Sequence, residues 1–293
     1  MQNLRKVKDS FMTGIHSTIG IFNILIVILI FVFILVNSLS FFKEYPISKF
    51  FFGTEWISLS GKYGLLPLLV GSFWVTLVAL GISVPIGIIT TIYLSEFANK
   101  KTKKIVKIII ETMSALPSVV LGYLGLYILS GFIKDIFDLS SGLNALSGGI
   151  MLSFMAIPTI VSLSDDALNA LDKSYREASL ALGANKLETV FKVLLPAAFP
   201  GIFAGIMLGF GRIIGETMAV LMITGNAPIM AISPLSPVRT LTATIASEMG
   251  EVVRGSEHYH ALFAIGLVLF TISFLTNSVA DRYIRKSRKL MGK

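Results

Sequence analysis

The sequence is poor in charge and contains no cysteine. Only 14% of its 293 residues are Asp, Glu, Lys or Arg, whereas a soluble domain carries about 25%. The lack of cysteine excludes disulfides, thiolate metal ligands and cysteine nucleophiles. Only three histidines are present, and no thiol or carboxylate spacing accompanies them, so we predict neither a metal site nor a cofactor. A glycine-rich P-loop is also absent, so we predict that this chain does not itself hydrolyse ATP and is not an enzyme.

In place of charge, the sequence has long apolar stretches. Hydrophobic residues make up 54% of it and the mean hydropathy is +0.79, which indicates an integral membrane protein. Six stretches are long enough, or nearly so, to cross about 30 Å of hydrocarbon. No small-x-small cleavage site follows the first stretch, so we predict a retained membrane helix there. The predicted spans are residues 19–41, 68–94, 107–133, 147–163, 198–224 and 261–280.

The basic residues are distributed unevenly between the segments that join these spans. If the N-terminus is cytoplasmic, 18 of the 25 Lys and Arg lie on the inner side and six on the outer side, and Arg212 lies inside a span. Basic residues are enriched in cytoplasmic loops, so we predict that both termini are cytoplasmic. The net charge of +8 is therefore interpreted as a topology signal, and no nucleic-acid partner is predicted.

The inner loop 164–197 has a helical pattern. Apolar residues recur at helical spacing from Ala167 to Leu182, and Gly183 then favours a helix end. Asn185 and Glu188, three residues apart, predict a capping box at the start of a second helix. We predict that Asp165 and Asp166 cap the first helix and that Pro196 ends the second. Taken alone, such a pair of amphipathic helices is equally consistent with a segment that lies on membrane lipid.

The spacing within this loop is more specific than its amphipathic pattern. Glu177, Ala178 and Ser179 are followed by Gly183 and then, after nine intervening residues, by Val-Leu-Leu-Pro at 193–196. This resembles the Glu-Ala-Ala loop of ABC importer permeases, with serine and valine in place of the second alanine and an isoleucine. The resemblance implies that the loop docks into a groove on a cytoplasmic ATPase, with small residues allowing close approach and Glu177 offering a charge.

The fifth predicted span contains two ionisable residues in the sequence GRIIGET (211–217). Arg212 and Glu216 are one helical turn apart, so we predict that they pair. Glycine rows at 201, 205 and 209 and at 211 and 215 predict close helix packing. An ionisable side chain inside a span costs several kcal/mol and is a functional-site hypothesis.

Two interpretations of this pair stay open. It is either a structural ion pair that locks helices together or a contact for a charged solute. A guanidinium suits an oxyanion because it presents a fork of donors. Glu216 would then hold Arg212 in place or accept a hydrogen bond from a protonated oxyanion such as phosphate. Thr217 is a further candidate for the solute path, although such hydroxyls more often bond a helix carbonyl.

Five segments together are similar to the permeases of phosphate-specific ABC importers: FFGTEW (51–56), PLLVGSFWVTLVAL (67–80), IYLSEFA (92–98), GRIIGETMAVLMITGN (211–226) and RTLTATIASEMGE (239–251). The similarity extends over almost the whole chain. It implies an all-α polytopic fold with six transmembrane helices, in which spans two to six form a MetI-like type I importer core and the first span is an added helix. It divides the chain into residues 1–67, a permease domain at 68–282 and a basic cytoplasmic tail at 283–293.

The same resemblance implies partners and roles. The partners are a homologous second permease, a dimeric ATPase at the cytoplasmic face and an extracytoplasmic phosphate-binding protein, all in the cytoplasmic membrane of a prokaryote. Alternative identities are the partner permease itself, a permease for another oxyanion such as sulfate or molybdate, and a signalling or scaffold subunit. The implied site residues are Arg212, Glu216 and Thr217 for the solute path, and Glu177, Ala178, Ser179 and Gly183 for coupling to the ATPase.

Overall fold

A computed structural model describes the backbone of residues 2–290 and the side chains of residues 12–285. The basic side chains of residues 5, 6, 8, 286, 288, 289 and 293, which contribute to the predicted orientation, lie outside that range. The helices of the described chain are α1 Gln2–Glu44, α2 Ile47–Phe52, α3 Leu66–Ile92, α4 Lys100–Ser114, α5 Ser118–Leu124, α6 Ser130–Ile136, α7 Ala145–Asn169, α8 Lys173–Ala181, α9 Lys186–Thr189, α10 Leu195–Gly215, α11 Met218–Ile223, α12 Leu241–Glu248 and α13 Glu257–Leu290.

Short π-helical turns and one hairpin complete the described structure. The π turns are Tyr93–Phe97, Gly125–Leu129 and Val190–Leu194, and the hairpin pairs β1 (Trp56–Ile57) with β2 (Lys62–Tyr63) in antiparallel fashion. Joined through the π turns, six helical segments are long and apolar enough to cross a membrane, which confirms the predicted number of spans. They are Met12–Glu44, Leu66–Phe97, Ser118–Ile136, Ala145–Asn169, Lys186–Gly215 and Glu257–Arg285.

The predicted third span, 107–133, is wrong at its start. Residues 107–114 belong to α4, a separate amphipathic helix that begins where the side chain of Asn99 accepts a hydrogen bond from the Thr102 N–H at 2.8 Å. Pro117 has an extended backbone and the third span starts only after it. The break has a local cause, because proline lacks an N–H and disfavours helical geometry in the residue before it.

The predicted fifth span, 198–224, is wrong at both ends. At the outer end α10 stops at Gly215, Glu216 has extended backbone angles (φ −69°, ψ 136°), and α11 follows as a separate short helix. At the inner end Pro196 does not terminate the surface helix, since α9 continues into α10. The π turn Val190–Leu194 ends two residues before the proline. Such a local change of helix geometry compensates for the backbone hydrogen bond that is lost because proline has no N–H.

The cytoplasmic loop contains one helix break that the sequence pattern did not predict. The membrane helix α7 runs on to Asn169, and α8 starts after Asp172, whose side chain accepts a hydrogen bond from the Ser174 N–H at 2.8 Å. Asp165 and Asp166 therefore lie within α7 and the prediction that they cap the first helix is wrong. The helix end at Gly183, with φ +83°, and the capping box of Asn185 and Glu188 are confirmed.

The helices α3, α7 and α10 form the centre of the protein. Glycines allow their close approach: a Cβ at Gly209 of α10 would lie 2.9 Å from Ile160 of α7, and one at Gly149 of α7 would meet Val78 of α3. The predicted packing role of the row at 201, 205 and 209 is thus confirmed, since all three glycines face α7. The first helix, α1, packs along α13, where Phe31 and Phe270 have ring centroids 5.1 Å apart.

The amphipathic helix α4 is attached to the cytoplasmic end of α7 by buried charge. The carboxylate of Asp165, 1% exposed, lies 3.2 Å from the Lys103 ammonium and 2.8 Å from that of Lys107. Because it binds this ammonium, Asp165 raises the pKa of Lys107 above its ordinary value. The attachment explains why an aspartate occupies a buried position here: buried charges require partners of opposite charge.

Candidate functional site

Arg212 lies in the last turn of α10 and is half-buried. One of its terminal nitrogens is 3.4 Å from the hydroxyl of Thr159 on α7, as expected from its position two turns after Gly205 on the face that packs against α7. Beside it, Cβ atoms placed at Gly211 and Gly215 would have no neighbour within 4 Å. The second glycine row therefore leaves an open face next to the guanidinium and does not pack against another part of the described chain.

Glu216 lies in the break between α10 and α11. Its side chain accepts a hydrogen bond from the Ala219 N–H at 3.2 Å, so it satisfies a free donor in the first turn of α11. Its backbone carbonyl accepts a hydrogen bond from the hydroxyl of Thr242 at 2.7 Å. The carboxylate and the backbone of this residue therefore hold the broken segment together.

The predicted pair between Arg212 and Glu216 is wrong. No ion pair joins the two among the side chains that the structure describes. The prediction assumed an unbroken helix, in which residues four apart are neighbours. Because α10 stops at Gly215, Glu216 leaves the helix face on which Arg212 lies.

The threonines near the break form mainly local hydrogen bonds. Thr217 donates to the carbonyl of Gly215 at 3.2 Å, and the buried Thr224 donates to the carbonyl of Val220 at 2.9 Å. Thr224 therefore fits the alternative in which the hydroxyl bonds a helix carbonyl. Thr217 lies directly after Glu216 and next to the open glycine face, so its position is compatible with the solute path.

A carboxylate near the outer end joins four segments. Glu248 of α12 lies 2.6 Å from Arg239 and 2.7 Å from His258 of α13, and it accepts a hydrogen bond from the Trp56 indole of β1 at 3.1 Å. Arg239 also donates to the carbonyl of Asn226 at 3.0 Å. Arg239 and Glu248 are thus bound to each other in a half-buried cluster.

The residues predicted to couple to an ATPase lie on or just after α8. Glu177 and Ala178 are exposed, as is Gly183 at the helix end. Ser179 is buried and its hydroxyl lies 2.9 Å from that of Thr189 on α9. Ser179 thus packs α8 against α9, while the outer face of α8 is free of contacts with the rest of the described chain at Glu177 and Ala178.

The basis for metal or cofactor binding is weak in this arrangement. Among the residues that the structure describes, no group of three or more His, Asp or Glu side chains could hold a metal ion. Instead, the site presents one cation, Arg212, together with hydroxyl groups of Thr159 and Thr217 and two open glycines. Such a set can bind an anion through hydrogen bonds and charge.

Sequence reasoning missed three residues that contact this site or its coupling loop. They are Thr159, which contacts Arg212, Thr242, which holds the Glu216 carbonyl, and Glu96, which binds Arg176 of α8. The sequence separations are 53, 26 and 80 residues, so no local spacing could have paired them. The one local signal was Glu96 itself, a carboxylate at the end of an apolar span.

The six apolar helical segments and the exposed helix α8 agree with a match to a known protein family. Residues 83–289 match the model described as "Binding-protein-dependent transport system inner membrane component". The chain belongs to this family. This establishes a multi-pass inner membrane component, whose relatives are permeases rather than enzymes.

Relatives with curated descriptions cover most of the permease. It is 42% identical over 229 residues to the "Probable ABC transporter permease protein YqgH" of Bacillus subtilis, covering 78% of this chain and 74% of that protein. It is 31% identical over 255 residues to the "Phosphate transport system permease protein PstC" of Mesorhizobium japonicum, covering 80% of this chain and 77% of that protein.

Solved structures confirm the fold of the permease. A bacterial alginate ABC transporter in complex with an alginate-loaded periplasmic protein aligns with a TM-score of 0.62, covering 93% of this chain and 94% of that chain at 12% sequence identity. Identity this low supports the architecture alone. The predicted type I importer permease fold, with its MetI-like core, is thereby confirmed.

Proposed function

We propose that the permease forms, with a homologous second permease, the path by which inorganic phosphate enters the cell. Several relatives are described as permeases of phosphate transport systems, including the protein from Mesorhizobium japonicum. The proposal rests on the surroundings of the Arg212 side chain. Its guanidinium is half-buried in a span, has no carboxylate partner among the described residues, and lies beside the open face of Gly211 and Gly215.

The guanidinium of Arg212 has no carboxylate partner among the described residues. A negatively charged solute would supply the opposite charge that it lacks. The guanidinium presents several N–H donors in one plane, which matches the oxygens of an oxyanion. The hydroxyl of Thr159 fixes the orientation of one terminal nitrogen at 3.4 Å, and the remaining donors are free to bind the anion. Arg212 then contacts phosphate directly, and Glu216 acts on the path through the backbone that it caps.

The second permease covers the open glycine face in this proposal. A dimeric ATPase docks at the exposed face of α8 around Glu177 and Ala178, with Gly183 ending the docking helix. An extracytoplasmic phosphate-binding protein delivers the solute to the outer loops, and both termini are cytoplasmic. Closure of the ATPase then moves the two permeases between outward-open and inward-open states, as alternating access requires.

The test is uptake of labelled phosphate by cells that carry this permease and its partner chains. We expect Arg212→Ala to abolish uptake, and Arg212→Lys to retain a small part of it because charge is kept and the donor fork is lost. Arg282→Ala, at an exposed position near the end of α13, is the matched control and should transport normally. The amount of assembled complex is measured for each variant by co-purification with the ATPase.

Competition by other anions separates the alternatives. Unlabelled phosphate should suppress the uptake, whereas equal sulfate or molybdate should leave it unchanged. Suppression by sulfate or molybdate would assign the permease to that oxyanion. Normal phosphate uptake by an assembled Arg212→Ala complex would contradict the proposal and support a structural or signalling role for this chain.

A further inference from the structure

The cytoplasmic helix α8 is bound to the end of the second span by an ion pair. The guanidinium of Arg176 contacts the carboxylate of Glu96 through two nitrogens, and its Nε lies 3.1 Å and 3.3 Å from the two carboxylate oxygens. The Glu96 side chain is 8% exposed and that of Arg176 is 27% exposed. The hydrogen bond to this carboxylate raises the pKa of Arg176 above its ordinary value.

A second contact joins the same two regions. The ammonium of Lys186, at the start of α9, lies 4.7 Å from the ring centroid of Phe97, the residue after Glu96, a distance typical of a cation–π contact. Ser179 and Thr189 bind α8 to α9, so the two helices behave as one unit. The chain itself joins α7 to α8 through three non-helical residues, 170–172.

Glu96 lies at the inner end of a long helical segment. The outer end of this segment is connected by hydrogen bonds to the break at Glu216. Residues Leu66–Phe97 form one continuous helical segment. Near its outer end, the hydroxyl of Ser72 accepts a hydrogen bond from the Leu241 N–H at 3.0 Å. The next residue, Thr242, holds the carbonyl of Glu216 at 2.7 Å. One helix thus contacts both the ATPase-facing unit and the segment that fixes the broken span.

We propose that the Arg176–Glu96 pair transmits movement of α8 to α3, so that Glu96 is a positioning residue that couples the ATPase to the Glu216 break. A buried, two-nitrogen contact suits this role because it resists rotation as well as separation. Coupling of this kind requires a contiguous physical connection whose state both ends can bias. The inference rests on the proposed function, because it requires an ATPase docked at α8.

The test uses the complete transporter in proteoliposomes, with labelled phosphate and its phosphate-loaded binding protein. Two quantities are measured: the stimulation of ATP hydrolysis by the binding protein, and the number of phosphate ions transported per ATP. We expect Glu96→Gln to lower both by about fivefold or more, the smallest factor typical of a coupling between sites. Asp281→Asn, which removes the exposed pair with Arg285 on α13, is the matched control and should change neither.

Rescue distinguishes transmission from a general loss of structure. The swapped variant Glu96→Arg with Arg176→Glu should restore both quantities, since it rebuilds the pair with reversed polarity. If Glu96→Gln does not assemble, Glu96→Asp is used, which keeps the charge but shortens the reach, and partial coupling in a normally assembled complex is expected. Unchanged stimulation and unchanged phosphate per ATP in an assembled Glu96→Gln or Glu96→Asp complex would overturn the inference.

The unmodified complex separates this inference from the proposed function. If it is not stimulated by phosphate, the proposed substrate is wrong, and the variants are then compared with the oxyanion that does stimulate it. If the unmodified complex transports phosphate and the Glu96 variants do so with equal coupling, only the proposed transmission is wrong.

Discussion

At the scale of single residues, Glu216 has a structural task at a position that we propose to lie along the solute path. Its carboxylate caps the first turn of α11 through the Ala219 N–H, and its carbonyl is held by Thr242. Capping needs only one oxygen that accepts a hydrogen bond. The charge of the carboxylate is therefore not required for the cap and is available to influence the selectivity of the path.

This division of tasks predicts different effects for two substitutions. Glu216→Ala removes the acceptor and should destabilise the protein by about 0.5–2 kcal/mol, the usual cost of losing a helix cap. Glu216→Gln keeps an acceptor oxygen and should retain the melting temperature, yet lower the preference for phosphate over sulfate. Thermal unfolding in detergent and competitive uptake measure the two effects. Equal melting temperatures for the alanine and glutamine variants would show that the cap contributes nothing.

The sequence singled out Arg212 and Glu216 as candidate site residues, but the pairing that it predicted between them is wrong. Two charges in an apolar run are conspicuous in any hydropathy profile. Their pairing was inferred from helical spacing, which applies only while the helix continues. The hydroxyl that holds the carbonyl of Glu216 in the break comes from Thr242, 26 residues later, and no local pattern reveals such a contact.

At the scale of elements, α4 is a surface helix that is held on α7 by a buried carboxylate as well as by apolar contacts such as that of Ile110 with Val161. Asp165 binds both Lys103 and Lys107, and these lysines are partly exposed while the carboxylate is not. When the carboxylate is removed, the two ammonium groups can still reach water. The cost to stability is therefore the loss of the two ion pairs, without the further cost of leaving an unpaired charge buried.

We expect Asp165→Asn to lower the free energy of unfolding by about 1.5–3 kcal/mol, the range for hydrogen bonds to charged groups. Asp166→Asn is the matched control, because Asp166 is the next residue of the same helix and is exposed. It should change stability by less than about 0.5 kcal/mol. Unfolding in detergent is the measurement, and equal destabilisation by both variants would contradict the proposed attachment of α4.

Most of the helix ends that the sequence could predict are set by residues within a few positions of the end itself. Gly183 and the Asn185–Glu188 capping box were identified because each acts within a few residues of itself. Asn99 and Pro117 carry equally local signals for the two limits of α4, but the hydropathy window averaged over them. The burial of Asp165 was unpredictable, since Lys103 lies 62 residues before it and meets it only when α4 packs against α7.

At the scale of the whole molecule, the predicted orientation follows from the distribution of Lys and Arg across the loops. The number of spans came directly from hydropathy, because about 20 apolar residues are needed to cross a bilayer. Hydropathy could not predict the arrangement of α3, α7 and α10, because helix packing depends on which glycine row contacts which neighbouring helix. The structure resolves this for the row at 201, 205 and 209.

The absence of native cysteine allows a direct test of the orientation. Leu59 of the first outer loop is 100% exposed and Leu182 after α8 is 89% exposed. We expect Leu59→Cys to react with a membrane-impermeant maleimide in intact cells, and Leu182→Cys to react only after permeabilisation. The unmodified chain provides the background. Labelling of Leu182→Cys in intact cells, without labelling of Leu59→Cys, would reverse the predicted topology.

The end of α10 has an electrostatic consequence for Arg212. Aligned peptide dipoles place about half an elementary negative charge at the C-terminus of a helix, and Arg212 lies in that last turn. A carboxylate partner would cancel the whole charge of the guanidinium, whereas the helix end cancels only part of it. In the proposed path, the guanidinium therefore meets an anion with part of its charge already offset by the helix end.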